Sequence, residues 1–155
     1  MIDLIQEIGD NLKSQNMMIS TAESLTGGLL SSKFCEIPGS SEWFAGGMIC
    51  YKNEIKEMLG VEKSFIETNG VVNCKTAYAL AKNIALKFNT EIGVSLTGIA
   101  GPSTDLKNTP IGTVHIGFYS EEDSECRKFC FSGTRNQIRE KSVKEAINMI
   151  LNKIK

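Results

Sequence analysis

"ISTAESLTGGLL" (residues 19–30) passes from a short apolar run through Ala22-Glu23-Ser24 into a Thr-Gly-Gly turn and a second apolar run. Residues 17–21 have the length and composition of a buried strand, and Ser24 to Phe34 reads as a helix. A strand leading straight into a helix is the unit of an α/β sheet, so this stretch decides the fold. Ser24 at the junction has two readings. It is an ordinary helix N-cap, or it is a reactive serine placed where a helix begins. Gly27 and Gly28 in the first turn cost helix stability, about 1 kcal/mol each relative to Ala. Bare backbone there admits a ligand close to N–H groups that attract negative charge. From the pattern alone the structural and functional readings are evenly matched.

Working outward, Ile2, Leu4, Ile5, Ile8 and Leu12 recur at helical spacing and predict an amphipathic helix over 2–15. A second strand is expected over 46–53 and a short helix over 54–60, closing on Gly60. Asn73 is placed to cap a helix running to Phe88, with Ala77, Leu80, Ala81, Ile84 and Leu86 as its apolar members. "IGVSLT" (92–97) predicts a third strand, followed by the long loop "GIAGPSTDLKNTP". Two further strands, "IGTVHIGFYS" and "ECRKFCFS", are joined by an acidic turn, and a last helix runs over about 135–152. Early strands alternate with helices and the last ones are hairpin-linked. The expectation is one α/β domain over 1–155, with a mixed, mostly parallel sheet of about five strands and helices on both faces.

Composition narrows the function. The 155 residues are 41% hydrophobic and 23% charged, values of an ordinary globular protein, and the net charge of −1 offers no electrostatic footprint for nucleic acid or an anionic membrane. The N-terminal helix carries acids among its apolar residues, so it reads as neither a signal peptide nor a membrane span. The five cysteines (35, 50, 74, 126 and 130) include no Cys-x-x-Cys pair and suggest neither a disulfide framework nor a zinc site. They are expected to be reduced, buried thiols of a cytoplasmic protein.

Ligands of α/β sheets gather at the carboxyl ends of the strands. Three polar or glycine-bearing segments leave strands there: "AESLTGG", "YKNEIK" and "TGIAGP". A serine nucleophile needs a base, and the only histidine, His115, sits mid-strand where it packs on a sheet face. Lysine is the other partner serine uses. Lys56 follows the second strand, five residues after Tyr51. To act as a base it must be desolvated, its pKa lowered from about 10.4 toward about 7–8; as an ordinary lysine it would be a solvated helix residue. The "TGIAGP" loop suits a phosphate or ribose as well as a plain turn, and it is neither a Walker A nor a GxGxxG motif. Arg135 and Arg139, one turn apart, either clamp a phosphate or are exposed helix arginines.

"TAESLTGG", "IPGSSEWFAGGMICYKNEIKEMLGV", "NGVV", "SLTGIAGP", "PIGTV" and "FSGTRNQIR" occur in this order from about residue 17 to the last helix. In combination they resemble the C-terminal domain of the CinA competence/damage-inducible proteins, whose stand-alone members are nicotinamide mononucleotide (NMN) deamidases. The resemblance implies a three-layer α/β/α sandwich, commonly a homodimer. It also implies hydrolysis of the NMN carboxamide to nicotinic acid mononucleotide and ammonia, with Ser24, Tyr51 and Lys56 catalytic. The molybdopterin-binding-like domain of the long CinA proteins has no counterpart in these residues. Where the family usually has Ser-Glu, this sequence has Asn73-Cys74; Asn73 keeps the capping chemistry and the carboxylate is gone. Thr134 also stands where relatives often carry an acid.

The expected mechanism is metal- and cofactor-independent. Ser24 attacks, Lys56 takes its proton, and Tyr51 orients Lys56 and relays the proton to ammonia. N–H groups at the glycine-rich helix start form the oxyanion hole. Substrate contacts are expected from Thr26, Gly27 and Gly28, from Thr97, Gly98, Ala100 and Gly101, and from Arg135 and Arg139. Glu23 is either a buried orienting acid or a first-turn helix charge. The partner is a small molecule, not nucleic acid or membrane. The rival readings are a non-catalytic pyridine-nucleotide-binding module and an interaction protein of competence or DNA damage.

Overall fold

The computed structural model describes all 155 residues. The elements in chain order are α1 (Ile2–Ser14), β1 (Ile19–Glu23), α2 (Leu29–Cys35), a 3-10 turn (Ser40–Glu42), β2 (Phe44–Ile49), α3 (Asn53–Met58) and α4 (Lys63–Asn69). α5 (Cys74–Phe88), β3 (Ile92–Gly98), β4 (Thr113–Tyr119), β5 (Ser124–Cys130) and α6 (Arg135–Lys153) complete the chain.

The five strands form one sheet in the order β2-β1-β3-β4-β5. β1 pairs parallel with both β2 and β3, while β4 is antiparallel to β3 and to β5. Four strands therefore point one way, and β4 alone runs against them. All five residues of β1 are buried, as a central strand covered on both faces requires.

The strands present alternate residues to two layers. Val94, Leu96, Val114, Ile116 and Phe118 pack with Ile5, Leu12, Ile138 and Ile147 from α1 and α6 in the larger core. Ala22 faces the other way, toward Leu80 and Ile84 of α5 and toward Leu59 and Ile66 from the α3–α4 region. On that face α5 lies against the strands. A Cβ at Gly93 would stand 1.9 Å from the Ala81 carbonyl oxygen, and Ser95 donates to the Ala77 carbonyl at 2.5 Å. Small residues at these points set the distance between helix and sheet.

The caps behave as their chemistry dictates. Asn73 Oδ1 accepts from the Thr76 N–H at 2.8 Å, and Thr134 with Gln137 forms a reciprocal capping box at the start of α6. Three sequence expectations need correction. The helix expected from Ser24 begins at Leu29, because Gly27 (φ 58°) and Gly28 (φ 95°) take left-handed backbone that no helix can include. Ser24 is therefore not a helix cap. Helix α4, which contributes one buried residue, Ile66, is additional to the expected elements. The thiols are not all reduced or buried: Cys74 and Cys126 form a disulfide, Cys35 and Cys130 are exposed, and only Cys50 is a buried free thiol. The pair is 52 residues apart in sequence but joins the first residue of α5 to β5 across a Cα–Cα distance of 5.6 Å.

Candidate active site

The three segments that leave strands β1, β2 and β3 at their carboxyl ends converge on one cavity of about 370 Å³. Ser24, Tyr51 and Lys56 line it together. So do Thr97, Gly98, Ala100, Gly101 and Arg135.

Glu23, the last residue of β1, prepares the turn that carries Ser24. Its carboxylate is buried on the α2 side and accepts from the N–H groups of Gly28 (3.1 Å), Leu30 (3.0 Å) and Ser31 (2.8 Å), and from Ser31 Oγ (2.7 Å). The protein thus satisfies the start of α2 with its own carboxylate, so Glu23 is a buried orienting acid. This corrects the expectation that those N–H groups form an oxyanion hole. Ser24 N–H donates to the Leu96 carbonyl at 2.9 Å and Gly27 N–H to the Ser24 carbonyl at 3.0 Å. Around Ser24, the N–H groups of Leu25 and Thr26 are the ones left without an acceptor.

Lys56 is 1% exposed although it belongs to a six-residue helix at the rim of the sheet. Its Nζ reaches the Cys50 carbonyl at 2.6 Å, the Tyr51 carbonyl at 3.2 Å and Ser24 Oγ at 3.1 Å. Burial lowers its pKa from 10.5 to about 8, with the neighbouring Cys50 thiol working slightly the other way. The Cys50 thiol is itself pushed up to about 11 by burial, so at neutral pH it brings no charge to the site.

A neutral amine has two N–H donors and one lone pair. Here two carbonyls take the donors, and the lone pair is left for the Ser24 hydroxyl. The same three contacts serve both forms: the ammonium donates to all three oxygens, and the neutral amine accepts from the Ser24 hydroxyl.

Tyr51 holds Lys56 through its main-chain carbonyl. Tyr51 is 55% exposed, and its phenol makes no hydrogen bond to the amine but accepts from Arg135 Nη2 at 2.7 Å. Arg135 Nη1 donates to the Gly101 carbonyl. The guanidinium thus bridges the β2 segment and the glycine loop at the cavity mouth.

Arg139 stands elsewhere. Its Nε donates to the Leu25 carbonyl at 3.0 Å and its Nη2 to the Thr26 carbonyl at 2.8 Å, behind the Ser24 turn. Arg139, Thr26, Gly27 and Gly28 do not line the cavity. Thr97 lines it but donates to the Val71 carbonyl at 2.9 Å, holding the 71–72 segment against the site. His115 is buried on β4 with Nδ1 unpartnered, and it makes no bond to Ser24. No three His, Cys, Asp or Glu side chains are grouped to hold a metal ion.

The family model for the CinA C-terminal domain matches residues 1–154. The chain belongs to the CinA C-terminal domain family. A CinA-like protein of Leptospira biflexa is 39% identical over 155 residues, which cover 99% of this chain and 37% of that protein. A CinA-like protein of Dictyoglomus thermophilum is 40% identical over 137 residues, covering 88% and 33%. The chain thus spans about a third of the length of these CinA relatives. Among solved structures, the CinA superfamily protein of Enterobacter cloacae superposes with a TM-score of 0.95 at 24% identity, covering 99% of this chain and 92% of that one. The competence/damage inducible protein of Agrobacterium tumefaciens gives 0.92 at 32% identity, covering 97% and 94%. The mixed five-stranded sheet with helices on both sides is the CinA fold.

Proposed function

We propose that the protein hydrolyses the carboxamide of NMN, giving nicotinic acid mononucleotide and ammonia. The observation that carries this reading is the buried Lys56 amine, with a pKa of about 8, placed 3.1 Å from Ser24 Oγ. The cavity volume of about 370 Å³ lies within the range of small-molecule sites.

In this reading Ser24 Oγ attacks the carboxamide carbon while its proton passes to Lys56 Nζ. The tetrahedral intermediate collapses by breaking the C–N bond, and the departing nitrogen takes that proton and leaves as ammonia. Water then attacks the Ser24 ester, Lys56 again accepting a proton. Breaking the C–Oγ bond releases the acid and returns a proton to Ser24. The uncommitted N–H group of Leu25, a residue that lines the cavity, is a donor available to a developing oxyanion, and in other enzymes one such donor supplies about 3–4 kcal/mol.

Purified protein incubated with NMN should release ammonia and nicotinic acid mononucleotide in equal amounts. Ser24→Ala should abolish this and leave folding intact, since Ser24 caps no helix. A wild-type protein that binds NMN without turnover would instead be a pyridine-nucleotide-binding module. A folded Ser24→Ala variant at wild-type rate would remove Ser24 from the chemistry.

A further inference from the structure

The Cys74–Cys126 bond lies outside the chemistry above but beside its cavity. Cys74 is exposed and Cys126 half-buried, so the bond is within reach of an external thiol. β5 is an edge strand, paired on one side only, to β4. The bond therefore ties a sheet edge to the first residue of α5. Immediately before that residue, Val71 and Val72 line the cavity, and Asn73 spans the junction. Asn73 Nδ2 donates to the Gly70 carbonyl at 3.1 Å while its Oδ1 caps α5, so the wall segment and the helix start share one side chain. The wall is also held by the bond from Thr97 to the Val71 carbonyl and by the Val71 side chain packed against the second core.

We infer that Cys74–Cys126 is a thiol–disulfide exchange site whose state sets how firmly the Val71–Val72 wall is held. The reactant is a dithiol. One of its thiolates attacks one sulfur of the bond, forming a mixed disulfide and releasing the other cysteine as a thiolate. The second thiol of the reagent then displaces the first cysteine. The dithiol leaves oxidised to its cyclic disulfide, and Cys74 and Cys126 are reduced and protonated from solvent. Accessible bonds of this kind exchange more readily than buried ones. Ser24, in the turn after β1, and Lys56, on α3, belong to other segments than the tied wall, so reduction acts on substrate binding and not on the chemical step.

The test uses wild type and a Cys74→Ser/Cys126→Ser variant, each with and without dithiothreitol. A thiol-reactive dye should label two sites on the folded, oxidised wild type, Cys35 and Cys130. After dithiothreitol it should label four, with the buried Cys50 unreactive in both. Amide hydrogen exchange over residues 70–78 should quicken on reduction, and KM for NMN should rise by at least about twofold, the smallest coupling expected of such a contact. kcat should stay level. The double variant should match the reduced wild type in exchange and KM, and label only Cys35 and Cys130, with or without reagent.

Two labelled sites in both states, or four in both, would show that no exchange takes place there. Four sites after reduction with exchange and KM unchanged would leave the bond as a staple with no hold on the wall. The kinetic arm rests on the proposed amide hydrolysis. Dye counting and hydrogen exchange do not, so an inactive wild type would fail that proposal without deciding this one.

Discussion

Arg135 donates through Nη2 to the phenol oxygen of Tyr51 at 2.7 Å, across 84 residues of sequence. Both groups lie at the cavity mouth, and the same guanidinium holds the Gly101 carbonyl. Such a fork also suits a phosphate, but here it already organises two walls of the site. Arg135→Ala is therefore expected to lower kcat for NMN and for nicotinamide riboside, which lacks the phosphate. It should additionally raise KM for NMN. Steady-state kinetics on the two substrates checks this. A loss confined to the KM of NMN would make Arg135 a phosphate reader and nothing more.

In the proposed reaction Lys56 sets the pH dependence. Its conjugate acid, with a pKa of about 8, must lose a proton before it can accept one from Ser24. kcat should rise with pH along a limb with its midpoint near 8, well below the ordinary lysine value of 10.5. Lys56→Arg should be inactive across that range, because a guanidinium stays protonated. A pH–rate series of the two proteins is the measurement, and an active arginine variant would show that charge alone suffices.

The same pKa carries a cost in stability. The unfolded chain keeps its proton up to about 10.4, whereas the folded chain releases it near 8. The penalty for burying the ammonium is thus full below pH 8 and fades toward the unfolded pKa. Lys56→Met should be at least as stable as wild type at pH 6–7, and its advantage should shrink by pH 10. Urea melts at the two pH values would register this. A variant less stable at pH 6 than at pH 10, relative to wild type, has the wrong sign.

Arg139 acts from behind the turn. By holding the Leu25 and Thr26 carbonyls it fixes the Leu25–Thr26 and Thr26–Gly27 peptide planes beside Ser24. Arg139→Ala removes both charge-assisted bonds and should reduce kcat by about 10- to 100-fold, with KM little changed. Millimolar guanidinium should restore part of that rate in a saturable way, while methylammonium should not. An increase in KM at constant kcat would return Arg139 to the substrate.

Glu23→Ala should be the most damaging of the side-chain truncations to the fold itself. It strands three N–H groups around a buried vacancy, while the Ser31 hydroxyl keeps its bond to Thr21 Oγ1. Each unsatisfied buried group costs about 1–3 kcal/mol. At about 2–4 °C per kcal/mol for a chain of this size, calorimetry should find Tm lowered by 6 °C or more.

Much of this architecture was legible in the residues because it depends on local chemistry. The five strands, the Asn73 cap and the last helix follow from apolar patterning and side-chain oxygen placement. Ser24, Tyr51, Lys56 and the "TGIAGP" loop met because the ends of neighbouring parallel strands meet in any such sheet. The Ser24–Gly28 turn was misread because glycines permit a helix start as well as a left-handed turn, and Glu23 decides between them only through bonds up to eight residues ahead. Arg139 and the disulfide were invisible for a different reason: their partners lie 113 and 52 residues away, and no spacing encodes such a contact. α4 lacks a periodic apolar face and gave no signal.

The disulfide also changes what one cut in the chain can do. Cys74 and Cys126 close a covalent ring that contains α5, β3, the cavity loop and β4. Leu106, fully exposed in that loop, offers a protease its natural target. A single cleavage there opens the ring without parting the molecule, and both fragments migrate together on a gel until a reductant separates them. While oxidised, the protein can be nicked at the cavity loop and remain one molecule.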